Sequence, residues 1–189
     1  SKSLGNAIDP ISLSEKYTID GIRYYMLRDI SLGEDGDFSE LALKERMNNE
    51  IVANYSNLFY RITSFIQKNY EGKLPSARYG EKEDETLQQI SSLVERYENE
   101  MQEYELTKAL STAIEVSTIA NKYIQETEPW KIIKADKEKA GSILNFGAQL
   151  LRTSVLLYYP FMPNSGKIAC EALSIKPEWK DVGKPVLKE

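Results

Sequence analysis

Apolar residues recur every three or four positions along almost the whole sequence, and the alternation that builds β-strands is nowhere sustained. The longest periodic run covers residues 40–68. Its predicted buried stripe consists of Met47, Ile51, Tyr55, Leu58, Ile62, Phe65 and Ile66. Because amphipathic helices bury such stripes against one another, the pattern predicts an all-α helix bundle.

Capping residues, glycines and prolines mark the predicted ends of these helices. Asp9 and Pro10 are typical of a helix start, with Asp as the cap and Pro at the first helical position. Asp37, followed three residues later by Glu40, forms a capping-box pattern. Two glycines and a proline make residues 71–84 the best candidate for a long exposed loop. Further helices are predicted at about residues 21–30, 87–101, 106–128, 136–159 and 163–173.

The inventory of reactive side chains argues against a self-contained hydrolytic or metal-dependent site. The chain has no histidine and a single cysteine, Cys170. It therefore contains neither a Cys–His dyad nor an intrachain disulfide, and no metal site is predicted. Cys170 lies in a helical apolar stretch and is interpreted as a buried structural thiol. No apolar run approaches the roughly 20 residues that cross a bilayer, so no membrane contact is expected.

Charge is unevenly distributed along the chain. The formal net charge is −5, and the acidic residues are concentrated in residues 81–105, which are predicted to form a solvated helix face. Residues 106–189 carry 12 basic and 9 acidic side chains. A polyanion could approach this C-terminal part while the acidic segment faces away. The composition therefore permits RNA binding without indicating it.

The most specific pattern is the string SKSLGNAIDP at residues 1–10. Lys2, which lies between two serines in a flexible loop, could place its positive charge on triphosphate oxygens as pyrophosphate leaves. The string resembles the end of the KMSKS signature of class I aminoacyl-tRNA synthetases. Residues 17–25 and 33–39 resemble the methionyl-tRNA synthetases in particular. The resemblance covers residues 1–173.

Two further motifs carry candidate RNA contacts. In NLFYR at residues 57–61, Asn57 and Arg61 lie one helical turn apart and combine an amide with a guanidinium fork. Trp130 follows Pro129 after a predicted helix end, where its ring can offer a face to an unstacked base. The spacing alone leaves a solvated surface pair and a core tryptophan as alternatives. The resemblance implies that these three side chains read the anticodon, with the tryptophan stacked on its first base.

Other residues are assigned through the resemblance. Lys2 is implied to contact the ATP phosphates and is the only catalytic residue of the parent enzyme expected here. Because the stretch Asn121-Lys122-Tyr123 matches the family, Asn121 is a candidate supporting residue and Lys122 a candidate phosphate contact. Tyr60 departs from the family, in which many members have Asn immediately before the arginine. This departure is expected to change the support around Arg61.

The resemblance divides the chain into three predicted parts. Residues 1–36 are expected to form the end of the KMSKS loop and connecting helices, residues 37–173 the α-helical anticodon-binding bundle, and residues 174–189 a tail. The expected function is recognition of the CAU anticodon, in the stem-loop of methionine tRNA, within a larger cytoplasmic methionine–tRNA ligase. Its catalytic domain is expected to be missing from this piece, which should be inactive alone and hold no cofactor. The parent is expected to use ATP and Mg²⁺, with zinc as a further candidate.

Two alternatives remain at this stage. The chain could belong to an isoleucine, valine, leucine or cysteine enzyme of the same class, which the combination of Asn57, Arg61 and Trp130 argues against. It could also be a helical module that binds protein through the acidic helix predicted at about residues 87–101. This second alternative predicts a buried Trp130 and an Arg61 side chain that points away from it.

Overall fold

The computed structural model describes residues 9–30 and 38–178, and these ranges fold into a bundle of helices. In chain order they form α1 (Pro10–Lys16), α2 (Ile19–Asp29), α3 (Glu40–Arg46), a π-helical segment (Met47–Ser56), α4 (Asn57–Tyr70), α5 (Glu81–Gln102), α6 (Leu106–Thr127), α7 (Pro129–Ile132), α8 (Lys137–Tyr158) and α9 (Pro163–Ala172). The predicted all-α fold is confirmed. Lys2, Asp37 and the tail residues 179–189 lie outside the described residues. The three-part division of the chain stays a prediction.

Helix α8 forms the centre of the bundle, and within residues 140–158 only Ser142 is less than fully buried. It packs against α4, α6, α7 and α9, while α6 also packs against α5. Gly147 permits the close approach of α4 and α6. A Cβ atom there would lie 2.6 Å from Ile124 Cδ1 and 3.4 Å from Ile62 Cδ1. Six residues of the stripe predicted for residues 40–68 face this core, whereas the seventh, Met47, packs beside Gly21 of α2.

Most predicted helix ends are confirmed, and one cap was assigned to the wrong residue. Asp9 caps α1, because its carboxylate accepts two N–H hydrogen bonds from the first turn. Helix α3 is capped by Ser39, whose Oγ accepts a hydrogen bond from the Ala42 N–H at 3.2 Å. The prediction that Asp37 caps this helix was therefore wrong. The Ser39 hydroxyl is the group that reaches the exposed N–H of the first turn.

Helix α5 begins at Glu81, several residues earlier than the apolar periodicity predicted. Its first turn is acidic, and negative side chains interact favourably with the positive end of the helix dipole. The Glu83 carboxylate also accepts a hydrogen bond from the Gly80 N–H at 2.9 Å. The charged first turn therefore belongs to the helix, although it contributes little to the core.

The connection at residues 71–80 is largely exposed, as predicted, but it is anchored to α8. The Tyr79 hydroxyl donates a hydrogen bond to Asn145 Oδ1 at 2.6 Å. Asn145 Nδ2 in turn donates to the Pro75 carbonyl at 2.6 Å. The Tyr79 ring lies edge-on to the buried Phe146, with 5.2 Å between ring centroids. These contacts hold the connection against the centre of the bundle.

The carboxylate of Asp20 in α2 caps the N-terminus of α9. Its two oxygens accept hydrogen bonds from Asn164 Nδ2 at 3.0 Å and from the Ser165 N–H at 2.6 Å. Asp20 is only 3% exposed. Arg23 adds a hydrogen bond from its Nε to the Phe161 carbonyl at 3.4 Å. Because a buried carboxylate satisfies the free N–H groups of a helix start, this contact fixes α2 against α9.

Glu50 lies at the centre of an ion-pair network that joins α2 to the π-helical segment. Its carboxylate accepts hydrogen bonds from the Tyr24 hydroxyl at 2.6 Å, Arg28 Nε at 3.1 Å and Arg46 Nη1 at 2.7 Å. Burial alone would raise the pKa of this carboxyl. The hydrogen bond from Tyr24 and the positive charge of Arg28 outweigh burial and lower the pKa below its ordinary value of 4.5.

The lowered pKa of Glu50 leads to a prediction about stability and pH. A carboxyl whose pKa is lower in the folded state stabilises the fold above its unfolded pKa, and this contribution is lost as the pH falls through the folded pKa. We expect Glu50→Gln to lower the free energy of unfolding by about 3 kcal/mol at neutral pH, because Arg28 loses its carboxylate partner and Arg46 is left with Asp29. The difference should shrink below the ordinary carboxyl pKa of 4.5.

Urea unfolding of both proteins across this pH range measures the effect. Glu45→Gln serves as the control, since Glu45 is an exposed acid in the helix immediately before the π-helical segment. An equal loss of stability for Glu50→Gln at neutral and acid pH would contradict the network.

The described ranges contain neither a membrane-spanning helix nor a cluster of potential metal ligands. None of their helices combines the length and apolarity needed to span a bilayer. The same residues contain no group of three or more His, Cys, Asp or Glu side chains that could hold a metal ion. Cys170 is buried, as predicted, and burial raises the pKa of its thiol.

Candidate nucleic-acid interface

The π-helical segment directly precedes Asn57, the first residue of α4. In such a helix each N–H reaches back five residues, as the Asn57 N–H does to the Val52 carbonyl. Segments of this kind are rare and are frequently found at functional sites. The segment sets the rotation of α4 relative to α3, and the Asn57 side chain is exposed at its end.

Asn121 of α6 holds the π-helical segment through Asn54. Its Nδ2 donates hydrogen bonds to the Asn54 carbonyl at 3.0 Å and to Asn54 Oδ1 at 2.8 Å. Asn54 Nδ2 donates in turn to Thr118 Oγ1 at 2.9 Å. Asn121 Oδ1 is buried and has no hydrogen-bond partner among the residues described. This placement favours the predicted supporting role of Asn121 over direct contact with a ligand.

Arg61 and Trp130 lie against each other, although 69 residues of sequence separate them. The Arg61 guanidinium carbon lies 5.1 Å from the centroid of the Trp130 ring, which is a cation–π arrangement. Arg61 Nη2 also donates a hydrogen bond to Gln125 Oε1 of α6 at 3.1 Å. Both Arg61 and Trp130 are half-buried. The structure thus brings two of the predicted residues together and adds Gln125 to them.

Trp130 is positioned by α7, a short helix that the sequence analysis did not predict. Helix α6 ends at Thr127, and the φ of 42° at the C-cap residue Glu128 turns the chain sharply, which confirms the predicted stop before Pro129. Pro129 then occupies the first position of α7 and is buried. The Trp130 ring packs partly against the hydrophobic core. The tryptophan is therefore held by the fold, with part of its ring open to solvent.

Lys122 is exposed on α6 and takes part in an ion-pair cluster that reaches α5. Its ammonium is 3.7 Å from the Glu126 carboxylate, which also binds Lys82 of α5 at 3.0 Å. The hydrogen bond from Lys82, together with the charges of both lysines, lowers the pKa of Glu126 against the opposing effect of burial. Lys122 remains a predicted phosphate contact, but its nearest charged partner is a carboxylate.

The face of α4 between Asn57 and Arg61 combines three kinds of recognition chemistry. The exposed amide of Asn57 supplies two donors and an acceptor, and the guanidinium supplies a planar fork of donors. The Trp130 ring supplies an aromatic surface. This set matches what single-stranded RNA loops require, namely hydrogen bonds to base edges and stacking on base faces.

The geometry also tests the alternative of a protein-interaction module. That alternative required a buried Trp130 and an Arg61 side chain directed away from it. Trp130 is instead half-buried, and the guanidinium lies on its ring. Neither requirement is met.

Gln125 and Asn54 were not predicted from the sequence as residues of this interface. Gln125 lies one helical turn after Asn121 on α6, so helical spacing alone could have placed both amides on one face. Asn54 carried no such signal. Its importance depends on the π-helical backbone, which the periodicity of the sequence does not reveal.

Comparison with known families gives two matches that together cover most of the chain. The family described as "Anticodon binding domain of methionyl tRNA ligase" matches residues 74–189. The family described as "tRNA synthetases class I (M)" matches residues 1–63.

Individual relatives and solved structures agree with these matches. The methionine–tRNA ligase of Thermotoga maritima is 38% identical over 88% of this chain and 27% of its own length. The Bacillus subtilis ligase is 36% identical over 94% of this chain and 27% of its own length. The chain thus spans about a quarter of the length of these relatives. A structure of Mycobacterium tuberculosis methionyl-tRNA synthetase with methionyl-adenylate superimposes with a TM-score of 0.90 at 28% identity, over 97% of this chain and 38% of that one.

Proposed function

Because this chain belongs to the methionyl-tRNA ligase family and matches its anticodon-binding domain, we propose that it recognises the CAU anticodon of methionine tRNA. In the proposed arrangement, Trp130 stacks on the first anticodon base, and Asn57 and Arg61 make polar contacts to that base or its neighbour. A catalytic domain of the same enzyme would form methionyl-tRNA with ATP.

The observation that carries this proposal is the placement of the Arg61 guanidinium over the Trp130 ring, one helical turn from the exposed Asn57. A cation on an aromatic face is worth about 0.5–1 kcal/mol at an exposed site. Stacking of a base on an aromatic ring is worth about 1–3 kcal/mol. A base can therefore displace the guanidinium from the ring or stack on the opposite face.

The hydrogen bond from Arg61 to Gln125 supports a role in reading base edges. Among the described residues, Gln125 is the hydrogen-bond partner of the guanidinium, and it engages only Nη2. A guanidinium has five N–H donors in a fixed fork. Gln125 thus orients the fork while donors remain for RNA, and Asn121 performs the corresponding task for the π-helical segment below Asn57.

The proposal includes the catalytic chemistry of the parent enzyme, which is inferred from membership of the family. Lys2 is proposed to contact the ATP phosphates. Mg²⁺, with zinc as a further candidate, is proposed for the parent enzyme. A cytoplasmic location is likewise proposed.

Replacement of the first anticodon base tests the function. We expect the 189-residue chain to bind a CAU stem-loop RNA more than tenfold more tightly than the same RNA with that base changed, because stacking and polar contacts are lost together. Fluorescence anisotropy over a series of salt concentrations measures both affinities, and the affinity for each RNA should fall with salt. Equal affinity for the two RNAs would overturn the proposal.

A further inference from the structure

We propose that Tyr60 is a second base-stacking platform, which binds another unpaired base of the RNA loop that Trp130 engages. The inference rests on the proposed function and extends it to a residue that the proposed arrangement does not use. On this basis the candidate interface has an aromatic ring on each side of Asn57, with Trp130 on one side and Tyr60 on the other.

The position of Tyr60 on α4 carries the inference. Successive residues of an α-helix are rotated by about 100°, so Asn57 lies between Tyr60 and Arg61 around the helix. Residues three or four positions apart have Cβ atoms about 5–6 Å apart. Asn57 is therefore a neighbour of both Tyr60 and Arg61. The Arg61 guanidinium in turn lies against the Trp130 ring.

The Tyr60 side chain is available for such contact. It is 71% exposed, and within the described ranges its hydroxyl has no hydrogen-bond partner and its ring no aromatic or cationic neighbour. Ser64 and Lys68, one and two turns further along the same face, are also exposed and polar. This face is therefore not covered by the rest of the described chain.

Exposure alone does not identify a stacking residue, because single exposed aromatic side chains are common on protein surfaces. Tyr104 is 72% exposed but lies in the turn between α5 and α6, at the opposite end of α6 from Gln125. What distinguishes Tyr60 is its distance of one turn from Asn57 and its position beside Arg61. Unstacked bases of RNA loops are commonly held on aromatic rings, and every base has a face that can stack.

Binding of a CAU stem-loop RNA to Tyr60 variants tests the inference. We expect Tyr60→Ala to weaken binding about tenfold, within the range for loss of one stacked base. Tyr60→Phe should bind within about twofold of the unchanged protein, because stacking needs the ring and not the hydroxyl. Tyr104→Ala is the matched control and should leave affinity unchanged. Thermal unfolding of each variant confirms that an exposed position has been altered without loss of the fold.

A second measurement locates the base. Abasic nucleotides are placed one at a time in the RNA loop, outside the first anticodon position. One of them should weaken binding to the unchanged protein about tenfold and have little effect on Tyr60→Ala, because the stacked pair is already lost.

The outcomes separate this inference from the proposed function. If the first anticodon base matters but Tyr60→Ala binds normally, the second platform is overturned and the function stands. If Tyr60→Ala weakens binding to all loops equally while the first base has no effect, stacking stands and anticodon recognition falls. Absence of RNA binding by the unchanged protein would overturn both.

Discussion

Replacement of Trp130 by alanine is expected to weaken binding of a CAU stem-loop RNA by between about tenfold and a hundredfold, because one stacked base is worth about 1–3 kcal/mol. The substitution also removes the surface on which the Arg61 guanidinium lies. Arg61 would then be held mainly by its hydrogen bond to Gln125. The loss should be larger for the CAU loop than for a loop with a changed first base, so the variant should discriminate less between them.

Trp130→Phe provides the graded control for this experiment. A phenyl ring keeps an aromatic face of smaller area, so its affinity should fall between those of the unchanged protein and Trp130→Ala. Because the ring packs partly against the core, circular dichroism should establish that each variant is folded at the temperature of the binding assay. Binding of Trp130→Ala within twofold of the unchanged protein would remove the tryptophan from the proposed interface.

Phe146→Ala is expected to lower the free energy of unfolding by about 3–5 kcal/mol, the range for removal of a fully buried phenylalanine. Phe146 lies in α8 and has no exposed surface. Its ring contacts Tyr79 and Tyr123 edge-on, with centroid separations of 5.2 Å and 4.8 Å. Since single domains are stable by only about 5–15 kcal/mol, the variant should be close to its unfolding threshold at physiological temperature.

The same substitution should release the connection at residues 71–80 before the rest of the fold. Hydrogen exchange should therefore accelerate first in that connection, which rests on Phe146 through the Tyr79 ring. Phe146→Leu fills most of the cavity and should cost much less. Unchanged denaturant midpoints for Phe146→Ala would show that α8 is not packed as described.

The fold could be predicted from the sequence wherever one physical signal dominated. Apolar spacing identified the long helices, and Asp9 and Pro129 located a start and a stop correctly. The π-helical segment could not be found in this way. Its apolar residues Met47, Ile51 and Tyr55 fit an α-helix equally well. The five-residue spacing of its backbone hydrogen bonds is accompanied by hydrogen bonds from Asn121 of α6, which lies far away in the sequence.

The candidate interface was predictable in its parts but not in its assembly. Spacing placed Asn57 and Arg61 on one face, and a proline placed Trp130 after a helix end. The contact between Arg61 and Trp130 depends on the unpredicted α7 and on how α4 packs beside α6. Short-range patterns carry no information about such contacts, because they are decided by tertiary packing.

The cap that Asp20 places on α9 has a consequence for the order of folding during synthesis. Asp20 leaves the ribosome before its partners Asn164 and Ser165, which follow 144 and 145 residues later. At about 5–20 residues per second, the Asp20 carboxylate must wait roughly 7–30 s before these two partners exist. Before α9 is made, α2 can already pack against α3 and α6, which precede α9 in the chain. Closure of the Asp20 cap on α9 is therefore expected to be the last contact that α2 completes in the nascent bundle.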